Sequence, residues 1–109
     1  MRNSFSILVF WGLVLSGTGV HADVVQLQTL LQRNNCVACH LMDKRKYGPH
    51  MREVAAKYAG KAGLVEQMAL KIKAGGTGVW GQDVMPPQPQ VTDENARLMA
   101  QLILSLETK

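Results

Sequence analysis

The pentapeptide Cys36-Val37-Ala38-Cys39-His40 constrains this chain more than any other feature. Two cysteines three positions apart, followed at once by a histidine, form the C-x-x-C-H pattern that attaches c-type haem. Residues three apart on a helical turn face the same way. Both sulfurs can then reach the vinyl groups along one porphyrin edge, and the next residue, His40, can turn its imidazole under the ring toward iron. A proximal histidine is the common haem ligand. Three other readings compete. A thioredoxin-like C-x-x-C needs a strand before it and a helix after it, and no stretch here alternates with period two for long enough. A Cys36–Cys39 disulfide closes too short a loop to stabilise much. Adjacent Cys39 and His40 with a distant His50 make a poor zinc tetrahedron.

The ends of the chain supply the context. Arg2 precedes an apolar run from Phe5 to Leu15, too short for a helix crossing the hydrocarbon core. The run is followed by Ser16-Gly17-Thr18-Gly19 and then Val20-His21-Ala22, the layout of a secretory signal cleaved after Ala22. A short membrane anchor is the alternative; no cysteine follows the run to carry a lipid. Residues 1–22 are therefore expected to be removed, leaving one domain, residues 23–109, without stable membrane insertion. Of six aromatic residues in the chain, that domain keeps Tyr47, Tyr58 and Trp80. A domain so small needs a staple or a cofactor, and the scarcity of large core fillers suggests that a non-protein group sits at its centre.

Apolar periodicity predicts an all-α chain. Val24, Leu27, Leu30 and Leu31 mark a first helix capped by Asp23 and ended by Asn34-Asn35. Pro49 suits the first position of a second helix, with Met51, Val54, Ala55 and Tyr58 inward and Gly60 closing it. Leu64, Val65, Met68 and Ile72 form a third stripe, stopped by Gly75-Gly76. Residues 75–90 hold four glycines and three prolines, a loop composition. Thr92 caps the last helix, Asp93 and Glu94 complement its dipole, Val91 can staple onto Ala96, and Met99, Leu102, Ile103 and Leu106 form its buried face.

A sixth iron ligand decides the chemistry. An open position binds small molecules; a thioether leaves only electron exchange, at a raised potential. Met42 lies too close to His40 to cross the ring, Met68 and Met99 fall on helical stripes, and His50 and Met51 open a helix on the proximal side. Met85 stands apart, in a loop stiffened by Pro86-Pro87, and is the favoured ligand.

With Cys36–His40, Gly48-Pro49, Val79-Trp80-Gly81 and Met85-Pro86-Pro87 in order, the chain resembles the short bacterial class I cytochromes c. Within that class it is similar to the small periplasmic monohaem carriers that pass electrons between respiratory enzymes. The resemblance runs over essentially the whole of residues 23–109. It implies four to five short helices around one covalent haem c, with thioethers at Cys36 and Cys39 and axial ligands His40 and Met85. It further implies that the Pro49 carbonyl accepts the His40 Nδ1 proton, that Trp80 donates its indole N–H to a haem propionate, and that Lys71 meets a propionate. It depicts a soluble, periplasmic, monomeric electron carrier with no substrate chemistry of its own, docking transiently with a respiratory reductase, oxidase, cytochrome complex or dehydrogenase. Gln88 replaces the Asn that commonly contacts the methionine sulfur, Asp83 brings an acid near the ligand, Asn35 replaces the usual Gly, and Leu102-Ile103 stand where an aromatic is frequent.

The net charge is +4. Lys44-Arg45-Lys46 could steer acidic partners or form a solvated basic turn, and no basic stripe interleaved with aromatics points to nucleic acid. A gas-binding or peroxidase-like haem protein, a thiol–disulfide oxidoreductase and a dedicated subunit of one dehydrogenase are the rival functions.

Overall fold

The structure, a computed structural model, describes residue 9, residues 11–13 and residues 19–107. Most of the expected export segment, residues 1–22, lies outside the described residues. The described chain is helical: α1 (Gly19–Arg33), a single 3-10 turn at Cys36–Ala38, α2 (Met51–Tyr58), α3 (Val65–Ala74) and α4 (Asp93–Leu104). The one extended pairing among the described residues is an isolated antiparallel bridge between Gly76 and Met85. No helix among them is long and apolar enough to cross a membrane.

Helix α4 is the hub, packing against α1, α2 and α3. Its sequence explains both its start and its face. Thr92 is extended and its hydroxyl accepts the Asn95 amide at 3.1 Å, as a cap should. Ala96, Met99, Ala100, Leu102 and Ile103 recur at helical spacing and are buried. Val91, just before the cap, is also buried with Ala96 in the same core, consistent with the expected staple. From α1, Leu27 and Leu31 enter that core. Exposed ion pairs run from Arg97 to Glu66 (2.6 Å) and from Lys73 to Asp93, tying α3 to α4. At such exposure they contribute little to stability.

Two expectations need correction. Asp23 does not cap α1, which begins four residues earlier at Gly19; nothing in Val20-His21-Ala22 breaks a helix, so its backbone continues through Asp23. Pro49 is not the first residue of α2: His50 is the cap, its Nδ1 accepting the Glu53 amide at 3.1 Å, and Pro49 lies one position before it. The α3 stripe is only half-buried apart from Ala69. Leu64, Met68 and Ile72 border a cavity, while Val65, Met68 and Ile72 also pack against the core that α3 shares with α4.

Candidate haem site

Asn35 has a left-handed backbone (φ 60°) between α1 and the 3-10 turn. That conformation disfavours most side chains, with glycine and asparagine the usual exceptions, which accounts for an Asn standing where Gly is usual. The following turn is closed by the Cys39 and His40 amides, which both donate to Cys36 O at 3.1 and 2.9 Å. In 3-10 geometry residues i and i+3 eclipse, so the Cys36 and Cys39 side chains share one side, and both line the same cavity as free thiols. Burial lifts the Cys36 thiol above its ordinary value; a backbone hydrogen bond opposes this and Cys39 adds to it. Reactive C-x-x-C thiols are instead shifted down. That difference, and the lack of any strand before the motif among the described residues, are unlike the setting of a thiol–disulfide oxidoreductase.

The His40 imidazole is held from two sides. Its Nδ1 donates to Pro49 O at 2.7 Å. A carbonyl can only accept, so Nδ1 carries the proton and Nε2 of the neutral ring keeps its lone pair for a metal. Gly48 lies against the ring: a Cβ there would sit 2.5 Å from His40 Cε1. The Gly48 amide also donates to Cys39 O at 2.8 Å, so the motif and Gly48-Pro49 form one unit.

Met85 comes from the loop after α3. Gly75 ends that helix with φ 67°, and a Cβ on it would lie 2.1 Å from Met85 O. Only glycine allows this crossing. The Gly76 amide donates to Met85 O and the Met85 amide to Gly76 O, at 2.9 and 2.8 Å. Beyond this pair the chain makes a closed finger: Thr77 Oγ1 donates to Gln82 O and Asp83 O, and the Gly78 amide to Gly81 O.

Cys36, Cys39, His40, Pro49, Lys71, Trp80 and Met85 all border one cavity of about 570 Å³. That size lies in the range of small-molecule and cofactor sites. Its apolar wall includes Leu31, Val54, Met68, Ile72 and Ile103. Met51, Met68 and Met99 border it too, but from helices, with Met51 and Met99 buried in the core; Met85 alone of the four is carried by a loop. Met42 lies outside this cavity, and His50 pairs with Glu53 at 3.2 Å. Trp80 is half-buried, with its carbonyl taken by Arg45 Nη2 at 3.1 Å and its ring centroid 5.2 Å from Lys57 Nζ. Lys71 is exposed at the rim. Gln88 Nε2 donates to Pro86 O at 2.9 Å, engaging that amide within the loop. Sequence reading did not foresee the bridging position of Arg45 or the steric roles of Gly48, read only as part of the Gly48-Pro49 motif, and Gly75, read as a helix stop. Paired thiols, an imidazole with its distal nitrogen free and a loop thioether around an apolar cavity fit a covalently held haem.

Fold and site together define a small all-α c-type haem protein. The Cytochrome c family model matches residues 25–107, and the chain belongs to that family. It is 45% identical over 78 residues to cytochrome c-551 of Azotobacter vinelandii, covering 72% of this chain and 94% of that protein. It is 42% identical over 95 residues to cytochrome c-552 of Hydrogenobacter thermophilus, covering 87% and 96%. The crystal structure of wild-type Nitrosomonas europaea cytochrome c552 superposes with a TM-score of 0.71 at 44% identity, covering 73% of this chain and 99% of that one. The expected class I cytochrome c fold is therefore the observed one, and the chain is an electron carrier with one covalently attached haem c.

Proposed function

We propose that Cys36 and Cys39 carry the haem thioethers, that His40 and Met85 are the axial iron ligands, and that the chain works in the periplasm as a one-electron shuttle. Bound haem supplies the ferric–ferrous cycle. The chain's own residues keep the change around the iron small. The 2.7 Å bond from His40 Nδ1 to Pro49 O carries this reading: it fixes ring orientation and proton position and makes Nε2 a stronger donor. The Gly76–Met85 pair holds the opposite ligand by its backbone. Trp80, through its indole N–H, and Lys71 would meet the propionates, a reading supported by both residues bordering the cavity.

Nothing in this assignment gives the chain a catalytic residue of its own; its partners are redox proteins that bind and leave. Small interfaces and fast dissociation suit that task. Met1–Ala22 would direct export, and cleavage after Ala22 would leave Asp23 as the first residue, within the helix now seen.

Ferric holo-protein tests the ligand assignment. The weak far-red sulfur-to-iron band is expected in the wild type and lost in Met85→Ala. A ferric spectrum that Met85→Ala leaves unchanged would assign the sixth position elsewhere and favour a small-molecule binder. Absence of c-type haem in a pyridine haemochrome assay on protein matured in a periplasm would restore the thiol oxidoreductase.

A further inference from the structure

The geometry points to Arg45 as a positioning residue, a clasp that holds the Met85 loop closed over the cavity. One guanidinium joins three segments. Its own segment, residues 41–50, carries His40's support at Gly48-Pro49. Its Nη1 donates to Glu53 Oε1 on α2 at 3.1 Å, and its Nη2 to Trp80 O at 3.1 Å, across 35 residues of sequence. Glu53 is itself oriented from the other side, its Oε2 lying 3.2 Å from His50 Nε2, so the carboxylate that aims Arg45 is tied to the cap of α2. The rigid, planar fork of arginine suits such a two-way bridge, where lysine's point charge offers no fixed angle.

The other end of the clasp is the tip of the finger described above. Residues 76–85 are closed upon themselves at Gly76–Met85, at Thr77 and at Gly78–Gly81. Among the described residues, the bond from Arg45 is the one side-chain hydrogen bond joining this finger to the His40 side of the cavity. Lys57, over the Trp80 ring, adds a cation–π contact from α2. Four residues separate Trp80 from Met85, and Thr77 Oγ1 ties two of them, Gln82 and Asp83, back to the finger's other arm, so freeing Trp80 frees the thioether to swing from the cavity. Loss of the clasp should open the finger locally without unfolding the helices.

The inference rests on the proposed Met85 ligation, and the experiment separates the two. Arg45→Met keeps the apolar stem and removes both donors. Arg97→Met removes an equal charge from the α3–α4 pair, away from the finger. Cyanide binding to the ferric holo-protein reads how often Met85 leaves, and amide exchange at Gly78 and Met85 reads finger opening. Arg45→Met should bind cyanide and exchange these amides about three- to tenfold faster, the scale of one partly exposed charged hydrogen bond. Arg45→Lys should recover part of the loss, and Arg97→Met should match the wild type. Equal rates in Arg45→Met and Arg97→Met, by both probes, overturn the clasp. A wild type without the sulfur-to-iron band sinks the ligation reading instead, and amide exchange still decides the clasp.

Discussion

Helices α1, α3 and α4 meet through buried aliphatic side chains. The segments 41–50 and 75–90 that border the cavity are each held instead by single backbone hydrogen bonds and close glycine contacts within their own half of the site. Leu27, Val91 and Met99 stand for the first region, each with almost no exposed surface. Gly48 against His40 and Gly75 against Met85 stand for the second. A packed frame degrades in proportion to the atoms removed. A loop whose backbone must pass within van der Waals distance of a ligand-bearing residue fails on the addition of one methyl group. Ligand geometry is therefore set where the chain is least regular, and overall stability where it is most regular.

Substitutions on either side should separate these properties. Gly75→Ala is expected to have the largest effect on the site. Its Cβ would collide with Met85 O at a backbone angle that L residues rarely adopt, so the sulfur-to-iron band should vanish from the ferric spectrum; a wild-type band would show that the loop tolerates the change. Leu27→Ala, in the frame and away from the cavity, should cost about 2–5 kcal/mol in denaturant melts of the holo-protein, with the band intact. Thr92→Ala removes the acceptor of the Asn95 amide and should cost about 1 kcal/mol, again without spectral change.

The smallest effect concerns the ion pairs. Hydrogen bonding from Arg97 holds the Glu66 carboxyl below its ordinary value, and Lys73 does the same for Asp93. Folded carboxylates with lowered values stabilise above the ordinary carboxylate range and lose that contribution as pH falls through it. Both are exposed, so Glu66→Gln with Asp93→Asn should slightly flatten the acid limb of the stability profile, and salt should erase the difference. A loss that persisted in high salt would show that these pairs do more than surface electrostatics.

The two regions also differed in how far the sequence revealed them. Helical periodicity is a local signal, and it placed all four helices and, in Met99, Leu102 and Ile103, the buried face of α4, whereas Leu106 lies past the helix end and is half-buried. It erred at ends, where Asp23 lies inside α1 and Pro49 falls before the cap of α2. A capping side chain such as His50 acts through a nitrogen that composition does not single out. The haem motif was legible because its chemistry demands fixed spacing. Arg45 was not: it read as part of a basic run, since nothing local signals a bond to a carbonyl 35 residues away. The half-buried α3 stripe shows the same limit, because its apolar face is divided between the core shared with α4 and a cavity.

That cavity links the two regions. The twelve buried hydrophobic residues of the described chain include four alanines and no aromatic, a thin core for a domain of this size. The porphyrin is expected to supply the missing volume and to fasten the loops to the frame. Far-ultraviolet circular dichroism of the haem-free Cys36→Ser, Cys39→Ser chain, melted beside the holo-protein, tests this directly. Holo-protein should unfold cooperatively, and the haem-free chain should show reduced helix and no cooperative transition. A haem-free chain with full helical content and a sharp melt would contradict the account.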